Sequence, residues 1–338
     1  MNAFLYRLAE KVRRNEPIPF PLAALLEVCT PAVRIGMWAR RRQARVRVPA
    51  RVISFGNITA GGTGKTPAVI ERARTEIAAR RKVAVLTRGY GSRQEKMPTA
   101  AGSWVPPHGL YLVMGDEAAL IIRNLPRVLV VKCADRVAAA HMAIKELGCD
   151  TLLLDDGFQH VRLERDENIV VIDATNPFGN GRLIPRGILR EPVNALRRAT
   201  AFLLTRCDQV QDFSPLIETL RALCPDVPIR TTRHAPRHLS RLKDRHVVAL
   251  EFLRDRPVKA VCAIAHPEAF FRTLEQLGAR ITERIALPDH AELPEEALEG
   301  KSVVLITEKD AARFRSVRGN VLALHVELED FPCQCNRG

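Results

Sequence analysis

Residues 52–70 read VISFGNITAGGTGKTPAVI and place a glycine-rich turn between a β-branched run and a helical pattern. Glycines let backbone N–H groups approach phosphate oxygens, and a helix that begins directly after them adds positive potential. In such a P-loop a lysine reaches the β- and γ-phosphates of a nucleotide and a hydroxyl binds Mg²⁺. The residues expected to do so are Gly61, Gly62, Thr63, Gly64, Lys65 and Thr66. Thr59 stands where the strict pattern has glycine, so the turn is a variant of the GGxGK[ST] type.

The segment TLLLDDGFQH at 151–160 ends a buried apolar run in two carboxylates. Downstream of a P-loop, such a position suits an aspartate that holds Mg²⁺ or its water shell. Asp155 and Asp156 both qualify as metal residues. Strand alternation would direct them to opposite faces, so we expect one to face the metal and the other a second partner. Without the P-loop, a strand-end turn with solvated carboxylates would be the preferred interpretation.

Asp116, in GDEAAL at 115–120, stands directly before a helical pattern. An acid at the cap or first turn of a helix is common and needs no function. The functional alternative is a general base that takes the proton from an acceptor hydroxyl. From the local sequence, the cap interpretation is the better supported.

Composition limits the classes of function. With 338 residues the chain is longer than one usual domain. Its 46% hydrophobic and 27% charged residues exclude disorder as the dominant state, and 5% aromatic residues provide few platforms for stacking bases. The net charge of +14 favours anionic partners. Eight cysteines without a CxxC pair favour reduced, packed thiols, and Cys333 and Cys335 are only a weak metal signal.

The N-terminal segment is basic and amphipathic. Residues 1–14 place apolar side chains on one helical face, 17–33 is apolar, and 40–48 reads RRRQARVRV. This pattern predicts an element on an anionic membrane surface, and docking on the protein's own core is an equal alternative. No secretory signal is recognised, and we expect no spanning helix because 17–33 contains Glu27 and four prolines.

From residue 50 onward, β-branched runs alternate with helical patterns. This alternation predicts an α/β fold, a P-loop NTPase-type and mostly parallel sheet with helices on both faces. The predicted strands are 52–55, 83–87, 128–131, 151–154 and 169–172, and the predicted helices are 65–80, 116–124 and 134–147. In the C-terminal part, strands are predicted at 258–264, 280–286, 302–306 and 321–326, with helices at 267–277 and 309–316.

These patterns divide the chain into four parts. Residues 1–45 are the amphipathic, membrane-associating helices, and 46–230 form the P-loop core. The polar segment 231–250, rich in Arg and His, is expected to be a linker. Residues 251–338 are expected to form a smaller α/β domain.

Six motifs together resemble the tetraacyldisaccharide 4′-kinases of lipid A synthesis. In the order and spacing of that family the chain has GNITAGGTGKTP, RGYGS at 88–92, GDEA, ADRVAAA at 134–140, DDGFQH and FGNGRLIPRGILREP at 178–192. The resemblance extends over roughly residues 45–310. The combination of DDGFQH with NGRLIPRGILREP is its most specific part.

The resemblance implies ATP as donor, Mg²⁺ as cofactor and the 4′-hydroxyl of a tetraacyldisaccharide 1-phosphate as acceptor. It implies a peripheral enzyme on the cytoplasmic face of the inner membrane, with the lipid substrate and the anionic membrane surface as partners. No nucleic acid and no protein partner are predicted. By position, Asp116 becomes the proposed base and His290, in LPDH at 287–290, its pairing partner. Taken alone, His290 would be an ordinary loop histidine.

Four further residues are assigned by position. Arg136 is predicted to stabilise the transferring phosphoryl charge, and Asn57, His160 and Glu191 to shape the acceptor site. Simpler alternatives exist: Arg136 pairs with the adjacent Asp135, His160 is satisfied inside a turn, and Glu191 opposes Arg190 at the surface. Surface pairs of that kind contribute little to stability.

The chain departs from the family pattern at four places. Ser92 and Ala118 replace a glycine and a proline, and the paired-histidine motif is reduced to Asp289-His290-Ala291. The family's GIGxP reads AIAHP at 263–267. Alanine costs little at negative φ and is disfavoured at positive φ, so the geometry of that loop decides its effect.

Two other classes of protein are considered. A P-loop switch or partner-targeting NTPase also uses GGxGKT. TRCD at 205–208 is a poor match to the [NT]KxD motif that recognises guanine, because it has arginine where lysine is expected. GTP-selective binding without phosphate transfer would favour that class. A nucleic-acid-binding protein would explain the charge, but no helix-turn-helix, zinc-finger or RNA-recognition signature is present.

Overall fold

The computed structural model describes residues 3–13, 15–89, 97–105, 107–300, 302–314 and 319–332. Ser92, Cys333 and Cys335 lie outside the described residues. The helices are α1 (Ala3–Arg13), α2 (Phe20–Val28), α3 (Thr30–Arg41), α4 (Lys65–Ala78), α5 (Pro107–Met114), α6 (Asp116–Asn124), α7 (Arg136–Lys145), α8 (Ser214–Leu223), α9 (Pro267–Gln276), α10 (Glu295–Leu298) and α11 (Glu308–Ala311). The strands are β1 (Arg51–Gly56), β2 (Val83–Thr87), β3 (Thr99–Ala101), β4 (Leu129–Lys132), β5 (Thr151–Leu154), β6 (Glu167–Asp173), β7 (Ala201–Thr205), β8 (Ile229–Arg241), β9 (Val247–Val248), β10 (Pro257–Cys262), β11 (Arg280–Ala286), β12 (Val303–Thr307) and β13 (Val321–Asp330).

The chain forms two compact units, each built from separated segments. The first consists of residues 1–65, 144–233 and 330–338, and the second of 66–143 and 234–329. Each unit contains a mostly parallel sheet with helices, so the α/β fold predicted from the alternating pattern is confirmed. The predicted helices at 65–80, 116–124 and 134–147 correspond to α4, α6 and α7.

In the first unit the strand order is β5-β1-β6-β7-β8, with every neighbouring pair parallel. The register places Ser54 of β1 opposite Leu154 of β5 and Asn168 of β6. Because the carboxyl ends of parallel strands meet at one edge of a sheet, the segments after β1, β5 and β7 lie close together. That edge therefore carries the P-loop and the acids that follow β5.

A buried apolar cluster supports this edge. Ile58 and Phe158, which lie directly after β1 and β5, pack in it with Phe202 of β7 and Leu220 of α8. Gly56 makes the packing possible, since a Cβ there would lie 2.5 Å from both the Cβ and the backbone nitrogen of Phe158. The glycine is thus required by close approach of two chain segments.

In the N-terminal part of the second unit, β4 lies between two partners. It pairs in parallel with β2 and antiparallel with β3, a short strand that the sequence pattern did not indicate. Helix α6 presents Leu120 and Ile121 as buried side chains and begins at Asp116. The start of α6 therefore places Asp116, one of the candidate site residues, at the first position of a helix.

The C-terminal strands of the second unit form a parallel sheet in the order β11-β10-β12-β13. Alternate side chains of β10 enter two different clusters: Val258, Ala260 and Cys262 pack with α9, whereas Val261, and Ala263 directly after the strand, pack with α10 and α11. Helices therefore cover both faces of this sheet, as expected for parallel strands buried on both sides.

The segment 231–250, predicted as a linker, is instead mostly strand. Residues 229–241 form β8, and a short antiparallel pairing of Leu239 with Val248 joins it to β9. The buried side chains of β8 are Thr232, Ala235 and Leu239, which recur at spacings of three and four rather than two. The alternation that marks a strand is therefore absent from the sequence, and the intervening Arg and His residues gave the segment the polarity of a linker.

The N-terminal segment contains α1, α2 and α3, in line with the predicted helices. By length and composition alone, the stretch Phe20–Met37 is apolar enough to cross a bilayer, with a mean hydropathy of 1.4. In the structure this stretch is divided between α2 and α3 on either side of Cys29, and the expectation of no spanning helix stays a prediction.

Candidate active site

The P-loop lies between β1 and α4. Gly61 and Gly64 have φ values of +117° and +85°, which side chains with a Cβ rarely adopt. A Cβ at Gly61 would meet no atom within 4 Å, so space is open beside the loop there. Thr63 is buried, Lys65 opens the helix, and Thr66 follows in its first turn. The loop has the backbone conformation that its glycines predicted.

Lys65 is held by two oxygen partners in the first unit. Its Nζ donates to Oδ1 of Asn57 at 3.1 Å and lies 3.2 Å from Oδ1 of Asp156. Asn57 is buried, and its own Nδ2 donates to the carbonyl of Thr59 at 2.8 Å. Asn57 was predicted to contact the acceptor, and its contact in the structure is with the P-loop lysine. These two contacts orient Lys65 at the start of α4.

Asp155 and Asp156 differ in environment, but strand alternation is not the cause, because β5 ends at Leu154 and both acids lie in the turn that follows. Asp155 is buried directly after β5. Asp156 has a left-handed backbone with φ of +55° and accepts a 2.7 Å bond from Nη1 of Arg190. Burial tends to raise the pKa of Asp156, but the charges of Lys65 and Arg190 hold it well below its usual value. Asp156 is therefore an ionised carboxylate next to the P-loop lysine.

Residues at the end of β7 form hydrogen bonds with backbone carbonyls of the P-loop. The hydroxyl of Thr205 donates to the carbonyl of Thr63 at 2.9 Å. Arg206 donates to the carbonyl of Gly62 at 3.2 Å and forms an ion pair with Asp173 at the end of β6. The TRCD segment thus contacts the phosphate-binding turn. In the sequence it was considered only as a poor match to a guanine-recognition motif. Sequence analysis did not foresee this support.

The DDGFQH turn is fixed by Arg165. Its guanidinium donates to the carbonyls of Gly157 at 3.0 Å and His160 at 2.6 Å. Within the turn, the backbone N–H of His160 donates to the carbonyl of Gly157 at 2.9 Å. Burial lowers the pKa of Arg165 to about 10, so it is charged at neutral pH.

Glu191 has a different partner from the one considered in its simpler interpretation. Both its oxygens accept bonds from Arg198 at 2.8 Å, and it is buried rather than at the surface. Arg198 also lies over the ring of Phe158, with 4.2 Å to the centroid. Arg190, the expected partner of Glu191, instead contacts Asp156. Glu191 therefore holds the turn that carries the acids.

In the second unit the structure brings Asp116 and His290 together. Oδ2 of Asp116 lies 2.8 Å from Nδ1 of His290. Oδ1 of Asp116 accepts the backbone N–H of Glu117 at 2.9 Å, so Asp116 also serves as a first-turn acid of α6. Asp116 is therefore a first-turn acid that also contacts His290, and its role as a base stays a prediction.

The two members of this pair differ in exposure and in pKa. The side chain of Asp116 is 8% exposed and that of His290 is 40% exposed. Burial tends to raise the pKa of Asp116, but His290, Lys309 and Arg313 together hold it well below its usual value. The hydrogen bond to Asp116 raises the pKa of His290, against burial and the charge of Lys309.

Two positively charged side chains near this pair, those of Lys309 and Arg313, were not identified as site residues from the sequence. Nη2 of Arg313 donates to Oδ2 of Asp116 at 2.8 Å, and Nζ of Lys309 lies 3.9 Å from the same oxygen. Lys309 also donates to Oδ1 of Asp289 at 2.9 Å. A signal was present, because the spacing of Lys309 and Arg313 in TEKDAAR places them on one side of a helical turn.

The AIAHP loop at 263–267 tolerates its alanines. No residue in this loop has positive φ, so alanine is not strained there. The N–H of Ala263 donates to Asp310 at 3.1 Å, and its carbonyl accepts the backbone N–H of His290 at 3.3 Å. The loop therefore helps to position His290.

Arg136 is almost fully buried at the start of α7. Its Nη1 donates to the carbonyl of Cys133 at 2.5 Å. Asp135, the partner in the simpler interpretation, accepts the backbone N–H of Val137 at 2.9 Å. The role of Arg136 in phosphoryl transfer stays a prediction.

Comparison with known proteins decides the family. The family model described as tetraacyldisaccharide-1-P 4′-kinase matches residues 17–333. The chain belongs to this family. The tetraacyldisaccharide 4′-kinase of Anaeromyxobacter dehalogenans strain 2CP-C is 43% identical over 297 residues, covering 83% of this chain and 77% of the relative. That of Pelobacter propionicus is 34% identical over 348 residues, covering 95% and 92%.

A solved member of the family has a similar structure. The form of LpxK from Aquifex aeolicus described as "apo" and in complex with ATP aligns with a TM-score of 0.70 and 28% identity, covering 92% of this chain and 93% of that one. This similarity and the family match establish this chain as an ATP-dependent kinase of the tetraacyldisaccharide 4′-kinase family, and the predicted family, fold and cofactor class are confirmed.

The residues of this kinase suit Mg²⁺. Within the described ranges, no group of three or more His, Cys, Asp and Glu residues could hold a metal alone. Mg²⁺ in kinases commonly takes one or two carboxylates and a hydroxyl, with the remaining ligands from phosphates and water. Asp155, Asp156 and Thr66 offer hard oxygen ligands of that kind. The assignment of these three as metal residues remains a prediction.

Proposed function

We propose that this kinase transfers the γ-phosphate of ATP to the 4′-hydroxyl of a tetraacyldisaccharide 1-phosphate, giving the bis-phosphorylated lipid A precursor. The observation that carries the proposal is the arrangement of Lys65, which opens α4 directly after the glycine turn and lies between Asn57 and Asp156. A lysine in this place neutralises phosphate charge and orients the donor. Membership of the family supplies the acceptor.

The donor side of the reaction depends on groups that are fixed in advance. The backbone amides of the P-loop are proposed to bind the phosphates, and the bonds from Thr205 and Arg206 to the loop carbonyls hold those amides in place. Preorganised donors stabilise developing charge without reorganisation during the reaction. When bound, Mg²⁺ would neutralise charge on the donor phosphates, with Thr66 and Asp155 or Asp156 as its protein ligands.

The proton of the acceptor hydroxyl requires an acceptor of its own, and we assign it to His290 rather than to Asp116. Asp116 is buried, its pKa is lowered, and both its oxygens already accept hydrogen bonds. His290 is exposed, and a proton on Nδ1 that is donated to Asp116 leaves a lone pair on Nε2, which faces Nζ of Lys309 at 3.4 Å. This assignment reverses the roles that the sequence suggested.

The proposed transfer forms one bond, breaks one bond and moves one proton. The 4′-oxygen forms a bond to the γ-phosphorus, the bond between that phosphorus and the ADP oxygen breaks, and Nε2 of His290 takes the hydroxyl proton. Asp116 stabilises the imidazolium that forms, as the carboxylate of a catalytic triad does. Because His290 is exposed, it can return the proton to solvent.

We also propose that the kinase lies on the cytoplasmic face of the inner membrane as a peripheral enzyme. Helices α2 and α3 leave Phe20, Leu25, Val28 and Ile35 exposed. Basic residues of 40–48 follow these helices, a combination that binds anionic headgroups by apolar burial and charge. Arg182 of the FGNGRLIPRGILREP segment forms a 2.7 Å ion pair with Glu27 of α2, which connects that segment to the helix.

The test is incubation of the purified protein with γ-labelled ATP, Mg²⁺ and tetraacyldisaccharide 1-phosphate in detergent micelles. We expect a doubly phosphorylated lipid with the label on the 4′-oxygen, located by NMR of the product. Replacement of ATP by GTP separates the alternative class: selective GTP binding with no labelled lipid would contradict the kinase and support a P-loop switch.

A further inference from the structure

We propose that Arg313 is a positioning residue for the transfer, because its one guanidinium holds both the carboxylate of Asp116 and the backbone beside His290. The inference rests on the proposed function, in which those two residues accept the proton. Arg313 is absent from the motifs that carry the family resemblance, and the simplest alternative is a purely structural arginine.

The geometry of Arg313 distinguishes these two roles. Nη2 donates to Oδ2 of Asp116 at 2.8 Å, and Nη1 donates to the carbonyl of Ala291, the residue directly after His290. The side chain of Arg313 is 4% exposed, so both bonds are shielded from water. A planar guanidinium fixes two acceptors at once in a way that the single ammonium of lysine cannot. Arg313 therefore sets the spacing between Asp116 and the loop that carries His290.

Arg313 is itself held in place by a buried acid. Asp310 lies 3.7 Å from Nη1 of Arg313 and accepts the hydroxyl of Thr307 at 2.6 Å and the N–H of Ala263 at 3.1 Å. Ala263 also accepts the backbone N–H of His290. The end of β10 and the turn after β12 thus converge on the same histidine.

The charges around the pair determine the direction of the expected effect. His290 faces Asp116 and Asp289, which favour the imidazolium, and Lys309, which opposes it. Arg313 lowers the pKa of Asp116 and donates to Oδ2, the same oxygen that contacts His290, so it competes with the imidazolium for the charge of that carboxylate. Removal of the Arg313 charge should therefore raise the pKa of His290, so the imidazole should lose its proton only at higher pH.

The experiment compares Arg313→Gln, Arg313→Lys and the control Arg123→Gln in the full-length kinase. Arg123 is a matched control because its guanidinium contacts the same turn, with bonds to the carbonyls of Ala311 at 2.5 Å and Phe314 at 2.7 Å. Neither of these bonds involves Asp116. The measurements are kcat against pH, the Kd for ATP and the melting temperature.

We expect Arg313→Gln to lower kcat at least about tenfold, since misplaced catalytic groups lose rate, with an unchanged Kd for ATP. The acidic limb of the pH profile, over which kcat rises as the imidazole loses its proton, should move to higher pH in Arg313→Gln. In Arg313→Lys the acidic limb should stay near that of the wild type, but kcat should remain low. Arg123→Gln should leave the limb in place, whatever its effect on melting.

Two results would overturn the inference. One is a wild-type kcat and limb in Arg313→Gln, and the other is equal losses of kcat in Arg313→Gln and Arg123→Gln without a shifted limb. If Arg313→Gln does not fold, the kcat of folded Arg313→Lys decides: wild-type turnover contradicts the inference. Failure of the proposed function itself would appear separately, as absence of labelled lipid with the wild type.

Discussion

At the scale of single residues, the two acids Asp116 and Asp156 are both held ionised by cations. Lys65 and Arg190 act on Asp156, and His290 leads the groups that act on Asp116. Neither acid therefore titrates near neutral pH, whereas the hydrogen bond to Asp116 raises the pKa of the third group, His290, above its usual value. The pH dependence of the reaction should accordingly report the imidazole.

Asp116→Asn tests this assignment through pH. The negative charge of Asp116 favours the imidazolium, so its loss should lower the pKa of His290. The acidic limb of kcat should move to lower pH, the opposite direction from Arg313→Gln, and kcat should fall because the imidazole loses its orientation. An unmoved limb measured with saturating ATP and lipid would argue against a histidine acceptor.

Lys65→Ala tests the donor side. Loss of the charge that Asn57 and Asp156 hold beside the loop should lower transfer by about 10²-fold or more, as removal of one preorganised donor does elsewhere. The measurement is labelled lipid formed per unit time. Lys65→Arg is the control that keeps the charge, and near-normal turnover in Lys65→Ala would reject the phosphate role of this lysine.

At the scale of elements, the turn after β5 and the end of β1 must approach very closely. A Cβ at Gly56 would overlap the backbone nitrogen of Phe158, so Gly56→Ala should lower the free energy of unfolding by about 1–3 kcal/mol or more. Denaturant unfolding measures the loss. Gly36→Ala in α3 is the matched control, because a Cβ there meets nothing within 4 Å and alanine favours a helix. Equal stability of the two variants would show that the approach is not tight.

The elements also show what the sequence could and could not predict. The P-loop and the helices that begin at Lys65 and Asp116 were predictable because their signals are contiguous in the chain. Strand β8 was not, because its buried residues lack a period of two. The contacts of Arg206 with Gly62 and of Arg313 with Asp116 join residues more than 140 positions apart, so no local pattern identifies the partner of either arginine.

At the scale of the whole molecule, the exposed apolar residues of α2 and α3 form the surface that is proposed to bind lipid. The double variant Phe20→Asp with Val28→Asp should weaken co-sedimentation with vesicles that contain anionic lipid, because burial of those side chains drives the binding. Val247→Asp, at another exposed apolar residue, is the control. Vesicle binding that is unchanged in the double variant would place the lipid-binding surface elsewhere.

The most direct test of the account is the turnover of His290→Ala measured together with its Kd for ATP. If His290 accepts the proton of the 4′-hydroxyl, kcat should fall by about 10²–10⁴-fold while ATP binds as to the wild type. A selective loss of ATP binding, or turnover close to that of the wild type, would contradict the assignment of His290 as the proton acceptor.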